Sequence, residues 1–113
     1  MQWVKFEING EQYAIDVMIV QEVLRVTNLH PSPNDNEIGL INLRGNVIGI
    51  LDIGQILGIE VGELNDSSRI IIVDLGSKVS GFISDGALEI INERKSEIQE
   101  HITIVDLNEK ETA

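Results

Sequence analysis

Asp52-Ile53-Gly54 comes nearest to a catalytic motif in this sequence. Two carboxylates brought together from two chains can share one proton and supply acid and base to a single reaction, the chemistry of a dimeric aspartic protease. Such a loop needs a hydroxyl between the Asp and the Gly, and here Ile53 stands there. Asp52 also precedes Gln55 by three residues, the spacing of a helix cap, which explains the carboxylate without catalysis. Asp74-Leu75-Gly76 fails in the same way, because Asp74 lies where a strand runs into a turn. His30 and His101 are the two imidazoles, and no spacing joins either to a serine nucleophile. Asp35 with Glu37, and Glu60 with Glu63, are too sparse for a calcium loop. The glycines do not form a phosphate-binding loop with its lysine. With no cysteine, thiolate metal sites and disulfides are excluded. No metal and no cofactor is implied.

The charge balance narrows the partners. Nineteen Asp plus Glu against eight Lys plus Arg give a formal charge of −11, which disfavours a nucleic-acid backbone and an anionic membrane surface. A protein or a cationic ligand fits better, and acidity that only maintains solubility is the plain alternative. No apolar run approaches the ~18 residues of a membrane span. MQWVKFEING has no basic region followed by an apolar stretch, so no signal peptide is expected and the cytoplasm is the expected location.

The elements that must carry any site are mostly strands. Val4, Phe6 and Ile8 alternate with Lys5 and Glu7, and Tyr13 and Ile15 resume the alternation after Asn9-Gly10. Residues 3–15 therefore read as a hairpin with a two-residue turn. Asp16 is placed to cap a short helix over VMIVQEVL, where Val17, Val20 and Leu24 have helical spacing. Pro31 and Pro33 mark a loop. Ile38–Leu43 and Val47–Leu51 read as two strands around Arg44-Gly45-Asn46. Ile53–Leu57 reads as one helical turn, closed by Gly58 in a left-handed conformation. RIIIVDL (69–75) and KVSGFIS (78–84) form a second hairpin, and residues 87–91 extend it or begin another strand. NERKSEIQE reads as one weak helical turn and HITIVDL (101–107) as a last strand. Residues 1–107 form one domain on this reading, and 108–113 a disordered tail. Short strands with glycine-bearing turns indicate an all-β sandwich or barrel with one or two short helices.

Arg44 is the one cation in the otherwise apolar stretch INLRGNVIGILDIGQILG (41–58). An unpartnered buried guanidinium is very costly, so the turn residues Gly45 and Asn46 place it at a bend near the surface. Two readings stand side by side. Arg44 pairs with an acid such as Glu22 or Asp52 and fixes the turn, or it is a docking contact, since Arg is enriched at interface hot spots.

Ile38-Gly39-Leu40-Ile41-Asn42-Leu43-Arg44-Gly45-Asn46-Val47-Ile48 resembles the signature of CheW-like chemotaxis adaptor domains, a Gly-x-x-Asn-Leu-Arg-Gly turn followed by an apolar strand and an Asp. Tyr13-Ala14-Ile15-Asp16, Val20-Gln21-Glu22-Val23, Ile50-Leu51-Asp52-Ile53 before Leu57-Gly58, Arg69-Ile70-Ile71-Ile72-Val73, and Gly81-Phe82-Ile83-Ser84-Asp85-Gly86 match in order, so the resemblance covers nearly the whole chain. It implies two intertwined five-stranded barrels of SH3-like type. It also implies a non-catalytic coupler between methyl-accepting chemoreceptors and the histidine kinase CheA, pairing with the kinase's regulatory domain and holding the receptor's helical cytoplasmic tip in a groove between the barrels. Carried over by position, the receptor groove comprises Val20, Glu22, Gly39, Asn42, Leu43, Arg44, Gly45 and Val47. Ile71, Phe82 and Asp85 are the corresponding kinase-side candidates.

Two departures bear on this. Gly49 stands where the family usually has Pro. Few residues separate Asp85-Gly86 from HITIVDL, where the family has a further stretch with a strand. The expectation is an incomplete second barrel or an exposed edge, with strand exchange between copies, a homo-oligomer, as one remedy. The rival readings are a small β-barrel that binds an apolar or cationic ligand and, behind it, the dimeric aspartic protease.

Overall fold

β1 (Gln2–Ile8) and β2 (Glu11–Asp16) pair antiparallel from Trp3–Asp16 to Ile8–Glu11. The two-residue turn between them needs left-handed backbone, and Asn9 and Gly10 take φ of 50° and 84°, the turn whose twist matches that of the flanking strands. These and the following elements come from a computed structural model that describes residues 1–86 and 88–107.

After β2 the chain departs from expectation. Asp16 caps as foreseen, its Oδ1 accepting from the Met18 amide at 3.0 Å. The helix is only a single 3-10 turn, Val17–Ile19, and gives way to β3 (Val20–Arg25). The helix expected over residues 17–24 is thereby corrected. Val20 and Val23 are stiff in a helix, and as a strand the segment gains a ladder with β6 (Arg69–Asp74), from Val20–Val73 to Arg25–Arg69, with a bulge between Val20 and Glu22.

The middle of the chain follows its local signals. β4 (Glu37–Leu43) and β5 (Asn46–Leu51) form a hairpin. Its turn residues Arg44 and Gly45 have φ of 51° and 88°. α1 (Ile53–Leu57) starts at Asp52, whose Oδ1 accepts from the Gln55 amide at 3.2 Å, and ends at Gly58 with φ 68°. β6 pairs antiparallel with β7 (Val79–Ser84). The chain then returns to its beginning: β8 (Glu89–Asn92) pairs with β1, α2 (Lys95–Ile98) follows, and β9 (Thr103–Ile104) lies parallel to β2. The strand expected over 101–107 is therefore two residues long. Ala87, and the tail expected over 108–113, lie outside the described residues.

Two sheets result, ordered β8-β1-β2-β9 and β3-β6-β7-β5-β4. All five strands of the second contribute to one cluster, with Leu24, Ile41, Ile48, Ile50, Ile70, Ile72 and Ile83, so that sheet wraps around its own core as a barrel does. The four strands of the first close in the same way on Trp3, Ala14, Ile91 and Ile104, with Ile98 of α2 and Ile102 filling the space. A third cluster, centred on Phe6, Tyr13, Ile15, Ile71 and Phe82, lies between the sheets. The strand shortage thus falls on the sheet built from the two ends of the chain. Ile71 and Phe82, two of the kinase-side candidates, belong to the five-stranded sheet and not to the one short of strands.

Candidate docking surfaces

Arg44 sits on the β4–β5 turn, with 69% of its side chain exposed and its Nη2 2.5 Å from Glu22 Oε2 on β3. The hydrogen bond that it donates to Glu22, and then the negative charge of Glu22, hold the guanidinium's pKa above its ordinary value. Asn42 braces the same turn, its Oδ1 accepting from the Gly45 amide at 2.9 Å. Both readings of Arg44 find a place here: the side chain is paired and it is presented outward.

An open groove of about 450 Å³ adjoins the turn, lined by Gln21, Leu43, Arg44, Asn46, Val47, Ile48, Lys78 and Val79. Val47 is 68% exposed at its rim. The wall mixes apolar side chains that exclude water with a few charges that set orientation, the make-up of a protein interface.

Val20 lines a different groove. With Val4, Val17, Val23, Leu88, Glu89 and Ile90 it bounds an almost wholly apolar trough of about 370 Å³ between the two sheets. Ile90 is 64% exposed there, and Glu89 is matched to Lys5, Nζ to Oε1 2.5 Å. Val20 and Gln21 are neighbours in β3 yet line different grooves, because Gln21 is the extra residue of the bulge between Val20 and Glu22, where the regular pairing with β6 is interrupted.

The eight residues carried over as one groove are therefore divided. Leu43, Arg44 and Val47 line the turn groove, Val20 the inter-sheet groove, and Glu22 holds Arg44. Asn42 and Gly45 shape the turn. Gly39 is a packing position: a Cβ there would lie 2.8 Å from Leu29 Cβ and 3.0 Å from His30 O, where His30 and Leu40 exchange backbone hydrogen bonds of 2.8 and 2.7 Å. The kinase-side assignment needs correction at two of its three positions. Ile71 and Phe82 have no exposed surface and touch only the core. Asp85 is half-buried, and its Oδ2 accepts from the Asn9 amide. Val4, Val17, Val23, Leu88 and Ile90 were not anticipated. For Val17 and Val23 the signal was apolar residues left incompletely buried once β3 is a strand, which the helical reading of 17–24 hid.

The rival sites dissolve into local structure. Asp52 caps α1, and Asp74 Oδ1 accepts from the Gly76 amide at 2.9 Å. His101 Nε2 lies 3.1 Å from Glu93 Oε2. Among the described residues no three His, Asp or Glu side chains group to hold a metal. The more enclosed apolar cavity bounded by Ile8, Ile38, Leu51, Ile53 and Val61 measures about 60 Å³, far below the ~300 Å³ at which small-molecule pockets begin, and the two larger hollows are the open surface grooves described above.

Comparison with known proteins shows the family. The family model of the CheW-like domain matches residues 2–112. Chemotaxis protein CheW of Bacillus subtilis (strain 168) is 34% identical over 100 residues, covering 83% of this chain and 62% of that protein. Chemotaxis protein CheW of Helicobacter pylori is 28% identical over 101 residues, covering 87% and 61%. The crystal structure of scaffolding protein TtCheW from Thermoanaerobacter tengcongensis superposes with a TM-score of 0.75 at 31% identity, covering 84% of this chain and 63% of that one. The chain thus spans about three-fifths of the length of the relatives it matches. With its Asn-Leu-Arg-Gly turn, its two sheets of short strands and this match from end to end, the chain belongs to the CheW-like domain family.

Proposed function

We propose that this chain is a non-catalytic chemotaxis adaptor that couples methyl-accepting chemoreceptors to the histidine kinase CheA, and that it works in the cytoplasm. A coupler has to hold two partners at once, and it transmits a signal only if its binding energy differs between the kinase-on and kinase-off arrangements. The observation that carries the reading is that the two grooves share no residue. The apolar inter-sheet trough suits the apolar stripe of a receptor helix, the helix-in-groove mode of recognition. The turn groove, with Arg44 and Lys78 among Leu43, Val47 and Val79, suits a folded domain, so Leu43, Arg44 and Val47, expected from the sequence on the receptor side, are assigned here to the kinase. The names of the relatives, and a neighbour titled a scaffolding protein, support the same role. No helix among the described residues is long and apolar enough to cross a membrane.

Separability is the test. The chain is mixed with a purified chemoreceptor cytoplasmic fragment and with the CheA regulatory domain, and binding to each is measured alone and together. Val23→Asp is expected to lose the receptor fragment and keep the kinase domain, and Val47→Asp to do the reverse. Absence of binding to either partner by the unaltered chain, or loss of both partners by each folded variant, would overturn the proposal.

A further inference from the structure

We propose that the inter-sheet groove ends in an anion-reading pair, Arg25 and Arg69, which selects a helix carrying an acidic side chain about one turn beyond its apolar anchor; this rests on the groove being a helix-docking site. Arg25 and Arg69 are directly opposed across β3 and β6. Like charges in that position repel and weaken a sheet, so the arrangement is a cost that the fold itself does not recover. Three of the eight Lys and Arg of this acidic chain are placed otherwise. Lys5, Arg44 and Arg94 each have a carboxylate within ion-pair distance.

The pair belongs to the groove by register. Val23 opposes Ile71 in the row before, and Val23 lines the trough. Arg25 is two residues on, hence on the same face and roughly 7 Å farther along the strand. The row continues from Arg69 to Ser84 on β7, so its three members include no carboxylate. Arg69 is held in place, its Nη1 donating to the carbonyls of Asp66 and Ser68 at 2.8 Å each, which leaves the rest of its fork of donors for a ligand. Arg25 is exposed.

The occupant follows from these facts. An apolar trough that runs into two guanidiniums fits an amphipathic helix whose apolar stripe ends in Asp or Glu. A helix rises about 5.4 Å per turn, so a carboxylate one turn past the anchor reaches the pair. The net charge of −11 does not forbid an acidic ligand, because salt screens charges beyond about 8 Å at physiological strength and the nearer Glu89 is neutralised by Lys5.

The test uses the full chain and a chemoreceptor cytoplasmic fragment as probe, at low and high salt, with Val23→Asp and Arg25→Glu. Arg25→Glu converts the opposed cations into an opposite-charge pair, so Tm is expected to rise by about 1–5 °C. Binding is nevertheless expected to weaken by about tenfold and to lose much of its salt dependence, and replacing one acidic residue of the fragment by Lys should restore it. A fragment that is rejected by Val23→Asp but binds Arg25→Glu as tightly as the unaltered chain would overturn the anion-reading pair and leave the groove standing. Binding unchanged by Val23→Asp would overturn the groove, and the pair with it.

Discussion

Arg44 and Glu22 join the two edge strands of the five-stranded sheet. Glu22 lies on β3 at one end of the order β3-β6-β7-β5-β4, and Arg44 directly follows β4 at the other. The ion pair therefore closes the barrel at the turn, while Leu24 and Leu43 pack against the core within. A single side chain both latches the scaffold and borders the turn groove, so its two roles have to be separated by experiment.

Substitution of Arg44 by Asn makes that separation. Arg44 has φ 51°, a left-handed conformation that Asn adopts readily before Gly. The turn gains conformational preference as the exposed ion pair is lost. Arg44→Asn is expected to melt close to the unaltered chain in thermal denaturation, while its affinity for the CheA regulatory domain falls. Tight binding by the folded variant would limit Arg44 to the latch.

Gly49 and Glu37 form a second coupled pair. A Cβ on Gly49 would stand 2.0 Å from Glu37 Oε2. That carboxylate is pinned, its Oε1 accepting from Ser32 Oγ at 2.7 Å and Asn34 Nδ2 at 3.1 Å. Gly49→Ala is expected to expel it and cost about 1–2 kcal/mol through the lost hydrogen bonds. Glu37→Ala loses the same bonds, so the double variant should be no less stable than Glu37→Ala alone. Urea unfolding of all three tests this, and additive losses would refute the coupling.

Phe82 tests the corrected kinase side. It is fully buried, with its ring centroid 5.2 Å from that of Phe6. Phe82→Ala is expected to cost about 3–5 kcal/mol of stability, a large share of what a small domain has. Kinase binding should then follow the folded fraction measured by circular dichroism. Binding lost at a temperature where the variant remains folded would return Phe82 to the interface.

What was legible in the sequence is what short-range physics decides. The Asn9-Gly10 turn, the Asp52 cap and the Gly58 terminus each depend on a few adjacent residues and form where those residue types favour them, and the turn read at Arg44-Gly45-Asn46 forms one residue shorter, with Asn46 starting β5. The alternation in β1, β2 and β6 is local in the same sense. VMIVQEVL was not, because its apolar residues satisfy both a helical and an extended period over so short a run. The ladder with β6, some fifty residues away, decided for the strand.

By itself, then, the sequence determined an all-β chain with no evident catalytic machinery, its turns, and an exposed guanidinium on one of them. Only the tertiary structure decided that Glu22 is that guanidinium's partner, that Val20 and Val47 serve different grooves, that Ile71 and Phe82 are core, and that Arg25 meets Arg69. The reason is physical: a turn or cap is settled by neighbours along the chain, whereas burial, pairing and a groove are settled by which distant strands lie side by side.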